Sequence, residues 1–340
     1  MWDCRTYPDN FKIESRGCKL VSLIYFLMNL PGLGEVGLYP GHIALHSDGT
    51  KAVAMSRINI TAFNIETGQI LVSQRIFYPI QAAFIGDKIA ISSSYRGGLI
   101  YFECLQNGEV QFLPGLFPRY FTQIGENEIL GLPFLKNSGE GTFSIRGWKP
   151  DDRKTEGILG KVTIDFDSKE MIIDKNWIAP ITKEQDLINF NFKEFWTLGN
   201  SKSFYLVRAV QNQVVLVNNM AEVKAISIEL PGWVAVTARR MPEKDFSKFD
   251  YHHKYVEEIP WGDYSRILGA FEFKDGFVVG YVGPTKGRIQ ESQIAVYDKE
   301  WRLMSSNTVP GMLFGAVGNR GYFLSPWKAG HQEVFTIDLK

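Results

Sequence analysis

Along most of this chain, short apolar runs rich in Val, Ile, Phe and Tyr alternate with polar breaks made of Gly, Asn and Asp. This is the pattern of strands joined by tight turns. One stretch displays it in full: His42-Ile-Ala-Leu45, the turn Ser47-Asp48-Gly49, Lys51-Ala-Val-Ala-Met55, Asn59-Ile-Thr-Ala-Phe63, the turn Glu66-Thr67-Gly68, and Ile70-Leu-Val-Ser-Gln-Arg-Ile76. It predicts four antiparallel strands, one blade of a β-propeller. A second stretch repeats the plan through Ala82-Ala-Phe84, Gly86-Asp87, Lys88-Ile-Ala-Ile91, Leu99-Ile-Tyr-Phe102, Asn107-Gly108 and Val110-Gln-Phe112. Farther along, Gly125-Glu-Asn127, Gly199-Asn-Ser201, Lys274-Asp-Gly276 and Gly318-Asn-Arg320 read as first-hairpin turns. Helical periodicity is confined to a short stretch at 245–258.

Proline marks the period. Leu30-Pro31-Gly32, Leu113-Pro114-Gly115, Leu230-Pro231-Gly232 and Val309-Pro310-Gly311 each close an apolar run, and Pro79 and Pro180 stand in equivalent places. Proline has no N–H for a ladder, so it suits the point where an outer strand stops and the chain crosses to a new sheet. Six marks predict six blades, with seven as the alternative if the aromatic segment near Ile259-Pro260 forms a degenerate blade. The last unit has room for only three strands, Leu313-Phe-Gly-Ala-Val317, Gly321-Tyr-Phe-Leu324 and Glu333-Val-Phe-Thr-Ile337. The apolar stretch Leu20–Leu30 is expected to supply the fourth and seal the ring. Arg16 and Lys19 ahead of that stretch also give it the look of a targeting segment, although Asp3, Asp9 and Glu14 precede it.

The fold class expected is therefore all-β, a closed propeller whose blades have four antiparallel strands each and whose last blade is completed by an N-terminal strand. Residues 1–19 read as an extension and 20–340 as one propeller domain, with insertions at 136–160 and 233–265. The six-unit pattern, the hairpin turns and the strand closure resemble the TolB-like six-bladed β-propellers. That resemblance implies binding of a protein or ligand at the bacterial cell envelope or outside the cell. No S-x-D-x-G-x-x-W box and no Y-W-T-D occurs, and the only Trp-Asp pair is Trp2-Asp3, outside any blade.

Composition narrows the function classes. In 340 residues, Lys plus Arg and Asp plus Glu are both 37, so no overall field favours nucleic acid. No run of about 18 apolar residues suggests a spanning helix. Cys4, Cys18 and Cys104 are too few and too scattered for a metal knuckle, though Cys4 and Cys18 could pair in an oxidising compartment.

Local chemistry is sparse. His42 and His46 are read as sharing a strand, which would separate them by about 13 Å, too far for one zinc. His252 and His253 are adjacent and diverge. Asp165-Phe-Asp167-Ser-Lys-Glu170 resembles the start of a calcium loop but lacks its Gly and terminal Glu, and is expected to be a polar hairpin turn. No G-x-S-x-G elbow, Walker loop or dinucleotide fingerprint is present.

The loops nevertheless sort by order onto two faces. Connections between blades and between second and third strands share one face, which collects Arg57, Tyr95, Arg96, Phe117, Arg119, Tyr120, Arg146, Trp148, Lys149, Lys286, Arg288, Trp327 and Lys328. The other face collects Asp48, Glu66, Asp87, Glu109, Glu126, Glu128, Asp165, Asp167, Glu222, Asp275 and Asp298, as tight turns favour Asp. Arg with Tyr and Trp is a common composition for binding hot spots. The expectation is a noncatalytic binding or scaffold propeller that recognises a protein or small ligand through Arg96, Arg119, Tyr120, Trp148, Arg288 and Trp327, with no cofactor. The alternative is a metal-dependent hydrolase that gathers inner-strand residues such as Glu194, Glu272 or Asn191 onto a central calcium or zinc. The aromatic segment from Trp233 to Tyr264 is a further candidate, or else a satellite core against the fifth blade.

Overall fold

The computed structural model describes residues 20–21, 42–56, 59–76, 79–93, 98–104, 109–114, 118, 120–132, 159–178, 195–219, 221–235, 262–285, 289, 291–326 and 332–339. Strand β1 is Leu20–Val21. The first blade is β2 (Ile43–Leu45), β3 (Lys51–Met55), β4 (Asn59–Asn64) and β5 (Ile70–Arg75). The second is β6 (Pro79–Ile85), β7 (Lys88–Ser93), β8 (Leu99–Glu103) and β9 (Gln111–Leu113). The third is β10 (Tyr120–Gln123), β11 (Glu128–Leu132), β12 (Leu159–Asp165) and β13 (Glu170–Ile178). The fourth is β14 (Phe195–Gly199), β15 (Ser203–Arg208), β16 (Gln213–Asn218) and β17 (Ala221–Ser227). The fifth is β18 (Arg266–Phe273), β19 (Gly276–Val282), β20 (Ser292–Asp298) and β21 (Leu303–Val309). The sixth holds β22 (Met312–Val317), β23 (Arg320–Leu324) and β24 (Val334–Asp338), and its outer position is taken by β1.

All pairings within blades are antiparallel, and β1 pairs with β24 through Leu20↔Phe335 and Val21↔Val334. The N-terminal segment thus completes the last blade. Residues 22–30 of the expected closing strand lie outside the described residues, as do Cys4, Cys18, His252, His253 and the segment 245–258. The architecture is a six-bladed propeller, and the seven-blade alternative is set aside. Pro79 departs from its expected place: it is the first residue of inner strand β6 rather than a stop after an outer strand, a position where proline's missing N–H is equally tolerated. Pro114, Pro231 and Pro310 do follow outer strands.

The hairpin turns form where short polar side chains can cap the backbone. Asp48 Oδ1 accepts from Thr50 N at 2.7 Å, Asn64 Oδ1 from Glu66 N and Thr67 N at 2.9 Å each, and Asp165 Oδ1 from Asp167 N at 2.9 Å. Gly49 turns at φ +73°, a conformation that costs an L side chain strain, and a Cβ there would lie 2.9 Å from Tyr322 Oη.

Stability resides in the joints between blades. The middle strands are covered on both faces, so their consecutive residues are buried and alternate between two joints, whereas outer strands such as β5 and β21 stay partly exposed. In β3, Ala52 and Ala54 pack toward the sixth blade with Phe314, Tyr322 and Leu324, whereas Val53 and Met55 pack toward the second with Phe84 and Ile89. Clusters of the same kind fill the remaining joints, and the six innermost strands touch in sequence until β22 meets β2. Glycine permits the closest of these approaches: a Cβ on Gly315 of β22 would lie 2.6 Å from Leu45 Cδ2.

The joint between the fourth and fifth blades is the most aromatic. Trp301, 5% exposed, stacks on Phe277 at 4.4 Å and 11° and meets Tyr205 edge-on at 5.3 Å. It does so from a turn in which its own φ is +64°, so local backbone strain is held in place by tertiary packing.

Candidate functional site

Strand ends decide which loops share a face. On one face every connection has two to seven residues, among them 46–50, 65–69, 86–87, 104–110, 124–127, 166–169, 274–275 and 318–319. The opposite face carries short connections such as 56–58, 76–78, 209–212 and 310–311, and also the long ones 133–158, 179–194, 228–265, 283–291 and 325–333, besides 22–42 between β1 and β2. A rigid ring that carries its long connections on one side is the usual arrangement for recognition.

Of the residues expected to bind there, Tyr120 lies within the described residues. It opens β10, is half-buried, and packs against Ile124, Leu130 and Phe195 in the joint between the third and fourth blades. Arg96, Arg119, Trp148, Arg288 and Trp327 lie outside the described residues, as do Arg57, Tyr95, Phe117, Arg146, Lys149, Lys286 and Lys328. Beside Tyr120, Gln81 of β6 clasps the backbone of the next blade. Its Oε1 accepts from Phe121 N at 2.8 Å and its Nε2 donates to Phe121 O at 2.7 Å. Thr122 and Thr197 continue this polar bridging one blade farther, their Oγ1 atoms 3.1 Å apart. Such side chains satisfy the inner edges of the sheets, which have no strand partner.

The aromatic segment is anchored at both ends. Tyr297 Oη donates to Glu229 O at 2.6 Å, Tyr281 Oη to Pro231 O at 3.0 Å, and Val234 N to Ser265 Oγ at 2.7 Å. Trp233 packs beside Tyr281 against the core of the fourth and fifth blades, and Tyr264 is buried. Residues 236–261 lie outside the described residues. The segment enters between β17 and β18, ahead of the fifth blade's inner strand.

On the short-turn face, several acidic side chains have structural partners. His46 is buried, with Nδ1 3.0 Å from Asp48 Oδ1 and Nε2 3.3 Å from Asp87 Oδ1, and Lys51 Nζ stands 3.9 and 3.8 Å from the same two carboxylates. Desolvation opposes ionisation of Asp48, but hydrogen bonds from Thr50 and His46 outweigh it and bring the carboxyl down to about 2. For Glu128, too, desolvation is outweighed, here by hydrogen bonds from Lys161 and Ser201, and its pKa falls. Asp298 is held down chiefly by the Arg302 backbone N–H at 2.9 Å. Asp165, the start of the calcium-like sequence, is likewise lowered by Ser168, and the segment is a hairpin turn.

His42 and His46 do not share a strand. They flank the three residues of β2, one at each end, because the turn begins immediately after Leu45. Among the described residues, no group of three or more His, Cys, Asp and Glu is arranged to hold a metal. Glu272, a candidate ligand in the hydrolase alternative, is half-exposed and paired with Lys299 at 2.8 Å. Glu194 and Asn191 lie outside the described residues. No helix among the described residues is long and apolar enough to cross a membrane.

One residue of the long-loop face escaped sequence reasoning. Glu333 is 7% exposed, and its Oε1 has no hydrogen-bond partner. The one hint was a carboxylate placed directly before the apolar strand Val334-Phe-Thr-Ile337.

No protein-family model matches the chain, and neither does any curated protein. Solved structures do resemble it. A member of the DUF4221 family from Bacteroides vulgatus aligns with a TM-score of 0.53 at 12% identity, covering 88% of this chain and 92% of that one. A putative exported protein from Bacteroides fragilis aligns with a TM-score of 0.49 at 15% identity over 89% and 91% of the two chains. A luciferin-regenerating enzyme aligns at 0.46 and 8% identity over 90% and 94%. At 12% identity the likeness to the first of these is one of fold alone, and the strand topology above makes the chain a six-bladed β-propeller.

Proposed function

We propose that this propeller is a noncatalytic binding or scaffold protein that recognises a protein or small ligand on its long-loop face. The observation that carries this reading is the one-sided distribution of its long connections. On the opposite face Asp48, Asp87, Glu128, Asp165 and Asp298 are committed to capping or to ion pairs. We further place it with the TolB-like group, acting at the bacterial cell envelope or outside the cell, on the strength of its six blades and N-terminal closing strand.

The test immobilises the full chain and two variants, one reversing Arg96, Arg119 and Arg288, the other reversing Glu66 and Asp167 on the short-turn face. Proteins and metabolites retained from the native extract are identified by mass spectrometry. Retention by the wild type and the short-turn variant, with loss in the arginine variant, is the expected result. Equal retention by all three overturns the assignment of the face. Fractionation of the source cells, with the mature N-terminus read by mass analysis, tests the compartment.

A further inference from the structure

The backbone of Glu333 is fixed on both sides. Its N donates to Ser325 Oγ at 2.8 Å, its O accepts from Ser325 N at 2.8 Å, and Gln332 Nε2 secures the same loop through Ser325 O at 3.1 Å. The side chain is more than nine-tenths buried, yet Oε1 accepts nothing, and none of the ion pairs found among the described residues includes it. Strand alternation gives its direction. Phe335 and Ile337 pack in the joint toward the fifth blade, whereas Val334 packs toward the first. Glu333 shares the parity of Phe335, which sets it at the rim of the joint between the fifth and sixth blades, on the long-loop face.

A buried polar atom left unpaired is expensive, and more so when it belongs to an ionised group. A carboxylate oxygen can only accept, so what completes it must donate. A metal ion would want several free oxygens. The nearby carbonyls already accept, Gly311 O from Ser292 Oγ at 2.5 Å and Ser325 O from Gln332. A single cationic donor needs only the one atom and forms a charge-assisted bond there.

We propose that Glu333 anchors a site for a primary ammonium or guanidinium group at the rim between the fifth and sixth blades. The group comes from a lysine or arginine side chain of a partner or from a free amine. This inference rests on the long-loop face being the binding face, and the two fail separately. The arginine-reversal capture reports on other positions, whereas the site at Glu333 is read by direct titration.

The experiment uses the full chain, as wild type and as Glu333→Gln, titrated with Nα-acetyl-lysine methylamide, Nα-acetyl-arginine methylamide, putrescine and the uncharged Nα-acetyl-norleucine methylamide. Binding is followed by calorimetry and by thermal shift. The wild type is expected to bind at least one cationic probe and not the norleucine analogue, and Glu333→Gln to bind that probe at least about ten-fold more weakly. Preference for a blocked residue over putrescine assigns the source to a protein partner, and the reverse to a free amine. Without probe, Glu333→Gln should melt at or above the wild-type temperature, since the substitution keeps the side chain's shape and takes away no hydrogen bond that Oε1 makes. The inference is overturned if no cationic probe binds the wild type, if the variant binds equally well, or if the variant fails to fold or melts well below the wild type. That last outcome would mean that the chain itself satisfies the carboxylate.

Discussion

Replacing Trp301 separates packing from backbone strain at one residue. The indole is 5% exposed, stacked on Phe277 at 4.4 Å and set edge-on to Tyr205 of the preceding blade at 5.3 Å. Truncating a buried Trp to Ala costs about 3–5 kcal/mol, and the lost ring pairs place this site in the upper part of that range. The backbone adds a second contribution, because φ at Trp301 is +64°. A left-handed conformation costs an L-residue about 1–2 kcal/mol, which Gly escapes, although Gly gives back about 0.4–1 kcal/mol through the unfolded chain. Trp301→Gly should therefore be less damaging than Trp301→Ala by about 0.5–1 kcal/mol, the reverse of their usual order. Trp301→Phe keeps an aromatic ring at the stack and removes an indole N–H that has no partner, so its cost should stay below about 2 kcal/mol. Equilibrium urea unfolding followed by circular dichroism measures all three. An Ala variant that loses under about 1 kcal/mol would refute the inter-blade stack as a stabilising joint. A Gly variant at least as unstable as Ala would refute the left-handed backbone at this turn.

Three further outcomes follow from the joints and turns. Removing residues 1–21 takes β1 from β24 and should lower the melting temperature and promote self-association, seen by size-exclusion chromatography, because it uncovers an edge strand. Gly315→Ala places a methyl 2.6 Å from Leu45 Cδ2 and should cost about 1–3 kcal/mol, whereas Gly283→Ala meets nothing within 4 Å and should be near neutral by the same denaturation assay. Asp48, held at about 2 in the folded chain against 3.8 ordinarily, stabilises the fold above pH 4, and that stability should be lost as pH falls from about 4 to 2. An acid titration in which Asp48→Asn shows the same drop over that window would refute this.

Turn chemistry is local, and it was legible. Asp48-Gly49, Gly125-Glu-Asn127 and Asp165-Phe-Asp167 name their own hairpins because each cap joins residues two or three apart in sequence. The missing fourth strand of the last unit likewise pointed to the N-terminal stretch, which supplies Leu20 and Val21. Even there the reading missed where tertiary context re-used a residue: Pro79 starts a strand, and His46 leaves the strand it was assigned to and turns toward Asp87 of the next blade.

The joints themselves were not legible. Trp301 meets Tyr205 edge-on, Tyr322 Oη donates to Gly49 O from the far end of the chain, and Gln81 clasps Phe121 of the next blade. No periodicity encodes such partners, since a strand buried on both faces reads as one apolar run and does not say which neighbour each side chain meets. The candidate site follows the same division. Loop order along the chain sorted the connections onto two faces, while the burial of Glu333 and its unpaired Oε1 came only from how the sixth blade packs against its neighbours. The sequence by itself determined the strands, the turns and the six-fold repeat, because these depend on near neighbours. Tertiary structure decided the joints and the buried carboxylate, because closure of the ring brings together residues that the chain keeps far apart.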